Sequence, residues 1–163
     1  MKIEIVTPSS NDAERLRDLR LRALADAPYA FGADYKVESE KPIEYWQDYL
    51  KNTDWCFAVI DGVDIGLLAV DKADADRNSD CWMASWWLEE AYRGQGIPKL
   101  MLEWLDNLCL SKGWKKQGLG VWPENERAIA AYSKLGFSKG EKPLQSRSRP
   151  DKMYLPMYRN LPL

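Results

Sequence analysis

An α+β fold, with a mixed and mostly antiparallel sheet flanked by helices, is what this chain predicts, in the order β-α-α-β-β-β-α-β-α-β-β. Three observations carry that class. Residues 55–60 and 63–70 are strand-like runs joined by Asp61-Gly62, the dipeptide of a two-residue hairpin turn. Residues 81–88 form an apolar, aromatic run that leads through Arg93-Gly94-Gln95-Gly96 into a helical stripe at Ile97, Leu100, Met101, Trp104, Leu105 and Leu108. Residues 116–121 then return as a strand, so the helix before them makes one parallel crossover in an otherwise antiparallel sheet.

The remaining elements follow in chain order. Residues 3–6 alternate apolar and charged side chains as a short strand does. Asn11 or Asp12 caps the next helix, which sets Leu16, Leu19 and Ala23 on one face. Its Arg15, Arg17, Arg20 and Arg22 read as a solvated face. Ala27-Pro28 ends it, and a loop beginning at Tyr29 and Ala30 runs to Glu40. A second helix spans 43–51, with Pro42 at its first turn and Tyr45, Trp46, Tyr49 and Leu50 packing it. Residues 71–80 are polar and without period, hence a loop. Pro98 suits the first turn of the helix from Ile97, and Ser111-Lys112-Gly113 ends that helix. A short helix over 126–135 stops at Gly136, and 137–140 begin another strand. Residues 141–152, rich in Ser, Arg and Pro, read as a mobile loop. In the last strand, 153–158, Pro156 argues for an edge or a bulge. No repeat or linker divides the chain, so a single domain over 1–163 is expected.

Composition narrows the chemistry. At 163 residues, with 45% hydrophobic and 29% charged side chains, the chain is long enough to bury a core without staples. A net charge of −2 is too small to argue for nucleic acid or a membrane surface, and neither is expected as partner. No apolar run reaches bilayer length, and the opening Met-Lys-Ile-Glu-Ile-Val has no signal-peptide core, so the cytoplasm is expected. Three cysteines, Cys56, Cys81 and Cys109, lie far apart in sequence, which suits reduced thiols better than disulfides or a zinc site, and no metal is expected. The chain has no histidine, which removes Ser–His and Cys–His nucleophilic catalysis and a histidine base.

The turn at Arg93–Gly96 is neither a Walker loop nor a dinucleotide fingerprint, since no G-K-[ST] and no G-x-G-x-x-G is present. Its glycines free the backbone, and the helix that follows presents N–H groups and a positive dipole end to a phosphate. Arg93-Gly94-Gln95-Gly96-Ile97-Pro98 resembles the acetyl-CoA loop R/Q-x-x-G-x-G/A of the GNAT N-acetyltransferase superfamily, with Pro98 where glycine or alanine is usual. A second signature, N-x-x-A-x-x-x-Y-x-K-x-G-F, is matched by Asn125, Ala128, Tyr132, Lys134, Gly136 and Phe137. The resemblance covers roughly residues 55–158.

The resemblance implies acetyl transfer from acetyl-CoA to a primary amine of a small molecule or peptide, by direct attack in a ternary complex. It places the co-substrate on Trp86, Trp87 and Leu88 through their main chain, on Arg93, Gly94, Gln95, Gly96, Ile97 and Lys99, and on Asn125. Tyr132 matches the tyrosine that protonates the departing thiolate. Phe31, Tyr35, Glu38 and Trp122 are the expected acceptor-binding residues. Some relatives carry a base glutamate five residues before the motif asparagine, where this chain has Gly120. Glu38, Glu40, Asp80, Glu89 and Glu90 are alternatives, or a water relay ending at a carboxylate. Pro98 and Gly120 leave open a non-catalytic acyl-CoA sensor or interaction module on the same fold. An amine acceptor is the expected partner, with a homodimer left open.

Overall fold

The computed structural model describes residues 2–28, 30, 31 and 33–162. Tyr29, with which the predicted 29–40 loop begins, lies outside the described residues. The chain forms two compact units, residues 1–70 with 85–105 and residues 71–84 with 106–163.

The first unit holds β1 (Ile3–Val6), α1 (Ala13–Asp26), α2 (Tyr35–Ser39), α3 (Ile43–Asn52) and β2 (Asp54–Ile60). It also holds most of β3 (Val63–Lys72), the end of β4 (Cys81–Leu88) and the start of α4 (Ile97–Lys112). Its strands β1, β2 and β3 pair antiparallel, with Ile3 opposite Ile60 and Asp54 opposite Val70. Asp61 (φ 48°) and Gly62 (φ 83°) form the β2–β3 turn, both left-handed as a two-residue hairpin of this kind demands. Leu16, Leu19 and Ala23 of α1 and Trp46 of α3 pack with Trp55, Phe57, Leu67 and Trp87 of the sheet into one core. Burial of these large side chains, each worth on the order of 2 kcal/mol, supplies the main stabilisation here.

Three expectations for this unit are corrected. The loop after α1 contains a helix, α2, whose N-cap Asp34 accepts the Val37 N–H through its side chain. Asp12 precedes α1 but does not cap it with its side chain, which instead accepts from the Ser9 N–H at 2.7 Å. The α1 arginines are only in part a solvated face: Arg22 is exposed and Arg17 partly so, whereas the others are engaged. Arg15 makes a paired contact to Asp64 at 2.7 and 2.6 Å, Arg22 reaches the Asp64 carbonyl, and Arg20 is buried.

The second unit holds the start of β4, the end of α4, β5 (Lys116–Val121), α5 (Glu126–Lys134), β6 (Ser138–Lys139), β7 (Leu144–Gln145) and β8 (Met153–Asn160). β4 runs parallel to β5, with Cys81 opposite Gln117, the expected crossover. β5 pairs antiparallel with β8, and β6 and β7 both pair with the other side of β8. β8 is therefore an inner strand and not an edge, while the other alternative that Pro156 suggested, a bulge, fits the irregular pairing beside it, where residues 140–143 face only 155 and 156. The Pro156 carbonyl accepts the Gly140 N–H on the side where β6 ends and β7 has not begun, and a residue's N–H points the same way as its carbonyl in such a ladder. The missing N–H thus falls in that gap. The 141–152 stretch is likewise more than a mobile loop, because β7 pairs with β8 and Arg147 binds Asp74 and Asp76. Cys81 and Cys109, distant in sequence, lie 3.9 Å apart at sulfur as buried thiols. The hydrogen-bonded Cys109 sulfur, and after it burial, push the Cys81 thiol up, so it stays protonated.

Candidate functional site

In the first unit the site is built at the end of β4, residues 85–88. Ser85 has φ 55° although it is a buried non-glycine residue inside a strand. Holding a non-glycine residue there costs about 1–2 kcal/mol. The β4–β5 pairing stops at Met83, two residues earlier. Sequence reasoning missed Ser85, since nothing in its identity announces a left-handed conformation.

Trp86, Trp87 and Leu88 follow. Trp87 is buried and its Nε1 donates to Asp26 at 2.8 Å, which fixes the end of β4 to the end of α1. Arg93 donates through Nε to the Leu88 carbonyl at 2.9 Å and through Nη2 to Asp26 at 3.3 Å. Its side chain is therefore a brace for the turn. That leaves the main chain of the turn to meet a ligand.

Gly94 (φ 78°) and Gly96 (φ 81°) are both left-handed, and a Cβ added at either would meet nothing within 4 Å. Glycine is required there by the backbone angle, while the surface above stays open. α4 begins directly afterwards at Ile97, and its first turn carries no acidic residue. The first N–H groups of such a helix have no acceptor within it, and Pro98 removes one of them. Gln95 and Lys99 are exposed beside this positive end. The arrangement suits a pyrophosphate.

Also in the first unit, the structure brings Phe31 and Glu38 together with Arg20. The Arg20 guanidinium lies 5.0 Å from the Phe31 ring centre, and Glu38 Oε1 accepts the Tyr45 hydroxyl at 3.3 Å. Burial pushes the Arg20 guanidinium down, opposed by Tyr49, Glu38 and Tyr45 nearby. Burial also pushes the Tyr45 hydroxyl up, aided by the Glu38 charge. Tyr35 is not part of this cluster's shelter, being 47% exposed at the start of α2.

In the second unit, Asn125 caps α5 by accepting the Ala128 N–H at 3.3 Å, while its own N–H donates to the Trp122 carbonyl. Trp122 is half-buried, with Lys152 Nζ 5.5 Å from its ring. Tyr132 is half-buried on α5 and meets Phe137 edge to face at 6.2 Å between ring centres. Burial pushes its phenol up to about 12, so the proton is held firmly at neutral pH.

The base candidates separate by their partners. Asp80 accepts the main-chain N–H of Lys115 and Lys116, which hold it below the usual carboxylate range and fix it as a structural group. Glu89 is paired with Arg22, and Glu40 and Glu90 are exposed. At Gly120 a Cβ would lie 2.7 Å from the ring of buried Tyr154, so that ring fills the place a glutamate would take. We expect Gly120→Glu to lower stability by about 1–3 kcal/mol through overpacking. Urea denaturation checks this, and an unchanged midpoint would show that Tyr154 yields freely.

Among the described residues no group of three His, Cys, Asp or Glu side chains is placed to hold a metal, and no helix is long and apolar enough to cross a membrane.

Residues 17–137 match the model of the Acetyltransferase (GNAT) family. A 59-residue stretch is 34% identical to the uncharacterized N-acetyltransferase YdgE of Bacillus subtilis, covering 36% of this chain and 38% of that relative. The chain thus spans well under half of that curated relative. A GNAT-family acetyltransferase from Staphylococcus aureus Mu50 superposes with a TM-score of 0.73 at 19% identity, over 99% of this chain and 100% of that one. The structure of yncA from Salmonella typhimurium, described as a putative acetyltransferase with its cofactor acetyl-CoA, gives 0.70 at 16% identity, over 100% and 96%. At those identities the two structures establish the shared fold.

Proposed function

Since the chain belongs to the acetyltransferase (GNAT) family, we propose that it moves the acetyl group of acetyl-CoA to a primary amine of a small molecule or peptide, by direct attack in a ternary complex. The observation that carries this reading is the pair of left-handed, uncrowded glycines, Gly94 and Gly96, opening onto a helix whose first turn has no acid.

In this reading the N–H groups of Gly94 through Ile97, and Lys99 beside them, hold the pyrophosphate. The main chain of Trp86, Trp87 and Leu88 lines the pantetheine arm, and Ser85 aims those peptide groups by its left-handed turn. When bound, acetyl-CoA supplies an activated thioester carbonyl. An N–H of this strand polarises it, a donor whose orientation is set before reaction. Asn125 contacts the co-substrate besides capping α5. Tyr132 gives its proton to the departing thiolate, which a phenol that is neutral at pH 7 can do. Phe31, Tyr35, Glu38 and Trp122 bind the acceptor. A carboxylate, directly or through water, takes the amine proton, and Glu38 is the sheltered candidate, with one oxygen, Oε2, left without a hydrogen-bond partner among the described residues.

A ligand that binds only the native state stabilises it by RT ln(1 + [L]/Kd), about 3 kcal/mol at one hundred times Kd. We therefore expect acetyl-CoA and CoA to raise the melting temperature at millimolar concentration. A melt that does not move with either would refute both turnover and simple acyl-CoA sensing.

A further inference from the structure

The cluster around Arg20 carries a charge pattern that acetylating an amine does not by itself require. Arg20 is 5% exposed, and its Nε and Nη1 have no hydrogen-bond partner among the described residues. Glu38 is 8% exposed, with Oε1 taken by Tyr45 and Oε2 unpartnered among the described residues. The indole N–H of fully buried Trp46 is likewise unpartnered among the described residues. Leaving buried charged groups unsatisfied is among the costlier arrangements a fold can hold, and most buried polar atoms find partners. Here two unmet donors of a cation and one unmet oxygen of an anion belong to the same helical layer of α1, α2 and α3. Each charge lacks the hydrogen bonds a ligand would bring.

Resting on the acetyltransferase reading above, we propose that Arg20 and Glu38 select the acceptor, and that it is a free α-amino acid with an apolar side chain. Its carboxylate meets the Arg20 N–H groups and its amine meets Glu38 Oε2. Phe31, beside the guanidinium, and the aromatic group Tyr45, Trp46 and Tyr49 offer the apolar walls for the side chain. A guanidinium already buried repels a second cation, which disfavours polyamines and aminoglycosides. A simple carboxylic acid leaves Glu38 unmet, and a simple amine leaves Arg20 unmet. Acetylation also removes the positive charge from the amine, so the product loses its attraction to Glu38 and leaves.

α2 is the element that must shift to admit the ligand, since it carries Glu38 and shields it. It has five residues, far below the length at which a helix stands alone, and its Tyr35 and Val37 point outward.

Titration calorimetry and thermal melts on the full chain, with and without saturating CoA, test the proposal. The probes are L-leucine, 3-methylbutylamine (leucine without its carboxylate), 4-methylpentanoate (leucine without its amine) and spermidine. Leucine is expected to bind at least tenfold more tightly than either half, and spermidine not at all. Arg20→Met should remove the advantage over 3-methylbutylamine, and Glu38→Gln the advantage over 4-methylpentanoate, each by roughly ten- to a hundredfold in affinity. Glu38→Gln is nearly isosteric and keeps the test intact where Arg20→Met does not fold. The proposal is overturned if leucine binds no better than its halves. It is equally overturned if the variants change only the stability of the free protein and bind leucine as the parent does. Stabilisation by CoA without leucine binding removes this proposal and leaves the acetyltransferase reading standing, whereas no response to either removes both.

Discussion

Gly96→Val is expected to yield a folded chain that no longer gains stability from acetyl-CoA. The fold survives because nothing lies within 4 Å of an added Cβ there, so the cost is conformational. A β-branched residue at φ 81° is strained by about 1–2 kcal/mol or somewhat more, against a typical domain stability of about 5–15 kcal/mol. Binding does not survive, because the strain is relieved by turning the peptide on either side, and those peptides carry the N–H groups proposed to hold the pyrophosphate. The side chain also projects into the open space the ligand would take. Calorimetry should show Kd for CoA raised at least tenfold. Gly62→Val is the matched control, another left-handed glycine with open space around it, but in the β2–β3 hairpin. It should lose similar stability and keep its response to CoA. If both variants bind CoA like the parent, the Gly94–Gly96 turn is only a connection.

What the sequence made legible was mostly what short-range chemistry dictates. Asp61-Gly62 announces a hairpin because few other residues accept two successive left-handed angles. Gly94 and Gly96 announce a turn for the same reason, and Asn125 a cap because its side chain reaches the Ala128 N–H. What stayed hidden depends on which neighbours arrive from elsewhere. Arg15, Arg17, Arg20 and Arg22 look alike in sequence, yet Arg20 alone is buried, beside Phe31 and near Glu38. α2 is too short for a hydrophobic period to show. Ser85 takes its left-handed angle inside a run that reads as regular strand. Pro156 sits in an inner strand because β6 and β7 leave a gap opposite its nitrogen. Gly120 is small because Tyr154 fills the space above it, a constraint from a residue far along the chain. The Gly94–Gly96 turn was therefore readable from its own residues, while of the buried cluster the family resemblance pointed to Phe31 and Glu38 but not to Arg20.

Tyr132→Phe is expected to leave CoA binding nearly unchanged while kcat falls by roughly 10²- to 10⁴-fold, the range for loss of a positioned general acid. The substitution keeps the ring that packs edge-on against Phe137, so α5 and its Asn125 cap should stand. It removes the hydroxyl proton. Loss of an interaction made only in the chemical step lowers kcat and kcat/KM together, whereas loss of ordinary ligand contact would raise KM alone. The pH dependence supplies a second readout. Burial raises the folded-state phenol from its usual 10.0 to about 12, so the protonated acid is present throughout the neutral and mildly alkaline range. The sign for stability follows. The raised value favours the native state fully below pH 10, and that contribution is lost as pH rises towards about 12. Tyr132 should therefore impose no basic limb on kcat below about pH 10. Equal single-turnover rates in variant and parent would remove Tyr132 from the chemistry. Tight CoA binding by the parent with no turnover on amino acids, peptides, polyamines or aminoglycosides would instead identify the chain as an acyl-CoA sensor built on an acetyltransferase fold.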